Sequence, residues 1–364
     1  MVLEFLSNNV EFIVFIFLLS LFLIYNRKNL EVTGSFPILY MMLYKTRIGL
    51  DRMKSWSDRH PNVFRYISYV SIFIGILGVV GSFIFLIYQL GFIVENNITA
   101  GGGVVLPLKT ENGLDSTVPV FYVPFWYWLI GLFVLVVVHE FAHGVIAERW
   151  KVKVKSSGFA FLGILVPIMP AAFVEPDEKS LQKKKWWQKI AVFGAGSLSN
   201  FFFGIIFLIL WVGVSGPLVN TTMEIDTISF ANVMNESDLY QYNITSGELI
   251  AYNNITDKNL IVNNLLNLSV NETMILTIKN GDEIKDYQVT TFENSQNNQK
   301  GMIGISGLDI SYGAKEQNSY LGQFPMFLQK LLCWITFLNI GLGIMNILPI
   351  WITDGGQITR TLIR

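Results

Sequence analysis

The chain has 364 residues, of which 52% are hydrophobic and 14% aromatic while only 15% are charged. That balance excludes an ordinary soluble domain and a disordered chain, both of which carry more charge, and matches membrane composition. The formal net charge of −1 carries little by itself, no nucleic-acid partner is expected, and a single cysteine excludes an intrachain disulfide or a cysteine-based metal site.

Apolar runs that approach or exceed the roughly 18 residues a helix needs to cross a bilayer occur at 10–25, 66–94, 123–146, 190–214 and 331–352. Lipid forces each backbone polar group to find a partner within its own segment, so such runs are expected as helices. The expected fold class is therefore a polytopic α-helical membrane protein of about five spans. The first run is slightly short. It continues into Arg27 and Lys28 and not into the small residues of a signal cleavage site, so it reads as a retained helix. Cys333, inside the last run, reads as a small buried apolar residue.

Basic residues distribute unevenly between these runs. Arg27, Lys28, Lys45, Arg47, Arg52, Lys54 and Arg59 follow the first, and Lys151, Lys153, Lys155, Lys183, Lys184 and Lys185 follow the third. The positive-inside rule makes both segments cytoplasmic and the alternate segments external. Asn-x-Ser/Thr acceptors at Asn97, Asn220, Asn235, Asn243, Asn254, Asn267 and Asn271 all fall in the segments assigned outside. Trp186 and Trp187, beside lysines, read as interface anchors.

Residues 219–319 change regime: they are polar and Asn-rich, with 13 acidic against 5 basic residues. Roughly 100 residues can hold a small core of their own. Asn280-Gly281 between 274–279 and 287–291 is a two-residue hairpin signal, so a small, mostly β external domain is expected. Gly247-Glu248-Leu249-Ile250 resembles the Gly-Asp-x-Ile stretch of PDZ domains, and the later hairpin and Gly304-Ile305 fit that order, although Ile255 stands where PDZ sequences usually carry Gly. A peptide ligand is the partner that resemblance implies.

The third run passes from unbroken apolar residues into His139-Glu140-Phe141-Ala142-His143. Ionisable groups inside a span are costly and mark functional sites. Positions i and i+4 share a helix face, so two imidazoles can hold one ion, and Glu140 can reach an activated water without itself ligating. The competing reading is a polar knot that only packs helices. His60, the third of the 3 histidines, lies in a basic loop and reads as solvated.

A catalytic zinc ion normally keeps three protein ligands, so a carboxylate at the same membrane depth is missing. The 18 uncharged residues 121–138 put His139 roughly 27 Å along its span at 1.5 Å per residue. The last span meets its first charge after Lys330 at Asp354, in Asn346-Ile-Leu-Pro349-Ile-Trp-Ile-Thr353-Asp354-Gly355-Gly356. Proline and paired glycine at that depth imply backbone lining a cavity. Both groups converge near the cytoplasmic side of the bilayer; a helix-capping Asp is the alternative.

An intramembrane H-E-x-x-H followed by Gly144, with a distant Asn-x-x-Pro-x-x-x-x-Asp-Gly read here as Asn346, Pro349, Asp354 and Gly355, is the paired signature of the site-2 protease family, which the chain resembles from 123 to its end. The resemblance implies a Zn2+-dependent intramembrane protease acting on transmembrane protein substrates, with His139, His143 and Asp354 as ligands and Glu140 as general base. Thr353 departs from the usual Leu before Asp-Gly; it is either a partner of Asp354 or a tolerated substitution. Gly196, Asn200 and Gly204 form a small stripe in the fourth span, and the family's Gly-x-x-x-Asn motif implies that Asn200 points at the site, steadying the oxyanion, unless it only packs helices. Asn346 carries the same two readings, with substrate backbone as its functional contact. The broken apolar segment 158–170 reads as a membrane-dipping strand or loop, and similar family segments pair with extended substrate.

The expected organisation is 1–122 with two spans and their loops, 123–218 as the first part of the catalytic membrane core, 219–319 as the external PDZ-like domain, and 320–364 as the second part of the core. The lipid bilayer of the cell membrane is the expected surrounding. The resemblance further implies a sixth span beyond Arg364. A metal-binding transporter or receptor is the main alternative, but no second intramembrane charge path is present beyond Lys330 at a span edge. An inactive scaffold is a third, and it requires that zinc be absent.

Overall fold

The computed structural model describes residues 7–35, 39–96, 104–107, 120–164, 166–294 and 297–363. The acceptor Asn97 and the terminal Arg364 lie outside the described residues. The chain forms two compact bodies: Met1–Trp211 with Lys330–Arg364, and Val212–Gln329.

In the first body the longer helices are α1 (Val10–Tyr25), α2 (Leu50–Arg59), α3 (Pro61–Asn96), α4 (Phe125–Arg149), α5 (Trp186–Leu210), α6 (Phe324–Ile347) and α7 (Asp354–Ile363). Their limits follow local chemistry. Helix α3 opens on Pro61, whose fixed φ suits a first helical position. Helix α6 stops at Ile347, ahead of Pro349, because the residue before a proline disfavours helical backbone.

Among the described residues four helices are long and apolar enough to cross a membrane: α3, α4, α6 and the stretch that α5 opens. Helix α1, with 16 residues, reaches only about 24 Å against a hydrocarbon core of roughly 30 Å. Of the five expected spans, four therefore have the length. Their outward faces are apolar: Phe73, Leu77, Phe83, Ile84, Ile87 and Leu90 of α3 are all exposed, a continuous surface that lipid tolerates and water does not. Glycines allow close helix approach, as where Gly131 of α4 meets Leu338 and Gly204 of α5 meets Ile340, both on α6.

This body also holds a four-stranded antiparallel sheet of β1 (Leu30–Ser35), β2 (Leu39–Thr46), β3 (Val154–Ile164) and β4 (Val166–Pro176), side by side in that order. The segment 158–170, expected as a dipping strand or loop, is strand on both sides of residue 165, which lies outside the described residues: the end of β3 pairs antiparallel with the start of β4, Ile164 opposite Val166. Strands β1 and β2 were not expected, since 30–46 reads as part of a basic loop. Strand β2 pairs Tyr44 with Phe159 and Thr46 with Ser157, partners so distant along the chain that no local pattern announces them. Charge clips the end of the sheet: Lys45 Nζ lies 2.6 Å from Glu31 and 3.3 Å from Glu175. The Ser156 hydroxyl donates to Glu175 at 2.6 Å, and that bond, with Lys45 beside it, holds the Glu175 carboxyl below its usual pKa.

The second body is a five-stranded antiparallel sheet of β5 (Met223–Phe230), β6 (Gly247–Tyr252), β7 (Thr273–Asn280), β8 (Glu283–Thr290) and β9 (Asp309–Ala314), in the order β8-β7-β6-β5-β9. Helix Lys258–Leu266 covers it, capped by Asp257, whose carboxylate accepts from the amides of Asn259 and Leu260. Ile228, Leu249, Ile261, Met274, Leu276 and Ile278 form the buried core. The expected hairpin is present, with its loop one residue further on: Asn280 pairs with Glu283, and Gly281 takes φ +62° as the first loop residue, the requirement of a type II′ turn.

Candidate active site

Helix α4 presents His139 and His143 on one face, four residues apart, toward α5 and the turn that follows α6. His143 Nδ1 donates to the Val192 carbonyl of α5 at 2.7 Å. The two Nε2 atoms face each other at 3.1 Å. Asp354 Oδ2 lies 3.3 Å from each of them. It is a buried carboxylate oxygen with no hydrogen-bond partner among the described residues.

These three atoms fit a metal ion. Bonds of about 2.1 Å in tetrahedral geometry space ligands roughly 3.4 Å apart, close to the 3.1, 3.3 and 3.3 Å found here. Among the described residues this trio is the one cluster of histidine and carboxylate groups with such an arrangement. An orphaned buried carboxylate oxygen is costly unless a cation or donor meets it. Gly196 of α5 supplies the room: a Cβ there would fall on His139 Cε1 and on both Nε2 atoms.

The loop that delivers Asp354 is tightly built. A Cβ on Gly355 would collide with the Ile347 carbonyl, and one on Gly356 with that of Ile350, which accounts for the paired glycines. Thr353 turns its hydroxyl to the Leu348 and Ile350 carbonyls at 2.6 and 2.9 Å, and accepts from the Gly356 amide at 3.2 Å. It closes the turn and caps α7 and makes no hydrogen bond to Asp354.

Glu140 opens onto a cavity of about 420 Å³ that is also lined by His139, His143, Asp354, Asn346, Ala171, Ala172 and Val174. Its Oε2 accepts from the Val174 amide of β4 at 2.8 Å. Among the described residues strand β4 pairs with β3 on its other side only, so this edge faces the cavity. Two residues back, Ala172 directs its N–H and C=O the same way. Asn346 Nδ2 stands 3.4 Å from His139 Nε2 on the cavity side. Asn200 is fully buried behind the ring, 3.1 Å from His139 Nδ1, and is not among the residues lining the cavity.

Sequence reasoning did not find three contributors: the Gly196 cradle, the Val192 carbonyl and the Val174 amide. The Gly196-Asn200 spacing was the available signal, and it reads equally as helix packing. The two backbone groups have no side-chain signature at all.

Comparison with known proteins adds one match. A family model described as Peptidase family M50 matches residues 127–364. No curated protein matches the chain.

Proposed function

The chain belongs to peptidase family M50, the site-2 protease family of membrane metalloproteases, and from that premise we propose that it is a zinc endopeptidase cutting peptide bonds within or next to transmembrane segments of other membrane proteins. The observation that carries this reading is the meeting of three ligand atoms at tetrahedral spacing with Glu140 in the same cavity. His139 Nε2, His143 Nε2 and Asp354 Oδ2 would hold the ion. When bound there, zinc supplies Lewis-acid chemistry, polarising the scissile carbonyl and making a water acidic enough to attack near neutral pH.

The protein's own groups do the rest. A Glu140 carboxylate oxygen takes the proton of the attacking water as the C–O bond forms, and returns it to the amine as the C–N bond breaks. The Asn346 amide, on the cavity side of His139, donates to substrate backbone. The exposed edge of β4 pairs with the substrate after its helix has unwound, which presents a carbonyl that a helix would keep engaged.

In the same reading the protein resides in the cell membrane. Positive-inside charge puts the catalytic level near the cytoplasmic face and the acidic second body outside. That body acts as a PDZ-like module taking a peptide ligand, and cleavage releases a product inward. The decisive experiment compares wild-type protein with Glu140→Gln for metal content and for cleavage of single-span reporter proteins in liposomes. The variant is expected to retain zinc and lose cleavage by at least about 10²-fold; undiminished cleavage would falsify the reading.

A further inference from the structure

The two imidazoles are held from behind by different groups. His143 Nδ1 donates to the Val192 carbonyl, which leaves its Nε2 unprotonated and free to ligate. His139 has Nε2 turned toward His143 and Asp354, and its Nδ1 lies 3.1 Å from the side-chain amide of Asn200. A neutral imidazole that ligates through Nε2 carries its proton on Nδ1, and that N–H needs an acceptor.

Asn200 has one to give. Its Oδ1 is a fully buried oxygen with no hydrogen-bond partner among the described residues, and buried orphans of this kind are uncommon. With Nδ2 against Nδ1, the proton of His139 would sit on Nε2 and point at the other two ligand atoms. A half-turn of the amide exchanges its nitrogen and oxygen within the same space. That single rotation gives the oxygen a donor in the Nδ1–H of His139, puts Nδ2 in the place the oxygen held, and leaves Nε2 unprotonated with its lone pair toward the metal position.

We propose that Asn200 is a positioning residue for the metal centre: its Oδ1 accepts the Nδ1–H of His139 and holds that ring in the tautomer and orientation in which Nε2 ligates. This rests on the zinc reading of the site and extends it to a residue of α5 that does not line the cavity. Packing alone makes the opposite demand on position 200. An apolar side chain would then be harmless there and a buried carboxylate damaging, whereas a positioning role needs an acceptor, which a carboxylate supplies.

The test is zinc affinity of the full-length protein in detergent, measured by competition with a chelator, for wild type, Asn200→Leu and Asn200→Asp. Wild type is expected to bind one ion, Asn200→Leu to bind about 10- to 100-fold more weakly, and Asn200→Asp to restore most of the loss. Equal affinity of Asn200→Leu and wild type, or weaker binding by Asn200→Asp than by Asn200→Leu, overturns the proposal and leaves the zinc site standing. Wild-type protein that takes up no zinc overturns the zinc reading and the proposal with it. Histidine 15N spectra of zinc-loaded wild type need no variant: Nδ1 protonated on both ligating rings supports the assignment, and ligation of His139 through Nδ1 overturns it.

Discussion

A glycine shapes the candidate site as firmly as the two histidines do. The absent side chain of Gly196 is what leaves His139 and His143 able to face each other, since a methyl group there would overlap both Nε2 atoms. Gly196→Ala is therefore expected to reduce bound zinc to background, by elemental analysis, with the helical circular dichroism unchanged; one ion per chain in that variant would contradict the geometry. The H-E-x-x-H pair was legible because i, i+4 spacing on a helix is a local property. Asp354 could be inferred from membrane depth. The different placements of the two asparagines, Asn346 on the cavity side and Asn200 behind the ring, have no trace in the sequence, which shows only that both are polar residues in apolar helices.

Strand β4 brings the sheet to the cavity onto which Glu140 opens, where its Val174 amide donates to Glu140 and Ala172 lies on the same edge. If substrate pairs along this edge, Ala172→Pro removes one donor from it without touching a metal ligand. Zinc content should hold while cleavage of a membrane reporter drops by about tenfold, roughly the 1–1.5 kcal/mol of one hydrogen bond. A second prediction concerns the far end of the strand. Glu175 is held below its ordinary pKa of 4.5 by Ser156 and Lys45, so its contribution is present above that value and fades as the pH falls through the lower folded-state pKa. Acid should therefore lower the amide protection factors, taken relative to the intrinsic rate at each pH, at the base of β1–β4, and Glu175→Gln should show the lowered protection already at neutral pH. The hairpin of β3 and β4 was readable as a break in the apolar pattern. Its continuation through β2 was not, because Tyr44 finds Phe159 only by long-range pairing.

The chain builds two cores on different principles. The first body turns apolar side chains outward toward lipid and keeps its polar groups at helix contacts, while the second buries them around Ile228, Leu276 and Ile278 as a water-soluble domain does. Leu276→Ala should cost the second body about 2–5 kcal/mol, visible as faster hydrogen exchange throughout β5–β9 with bound zinc unaltered. Loss of metal along with that exchange would show that the insert governs the site.

By itself the sequence determined what periodicity and run length encode: the membrane-length helices, the i, i+4 histidine pair, the hairpin of the insert and the break at Pro349. Each of these is specified within a window of a few turns. Only the tertiary structure decided that Asp354 closes on the two histidines, that Gly196 leaves room for the two rings to face each other, that Asn200 backs His139, and that β2 joins the sheet leading to Glu140. Those contacts join residues far apart in the chain, and the packing that selects them leaves no pattern in either partner's local sequence.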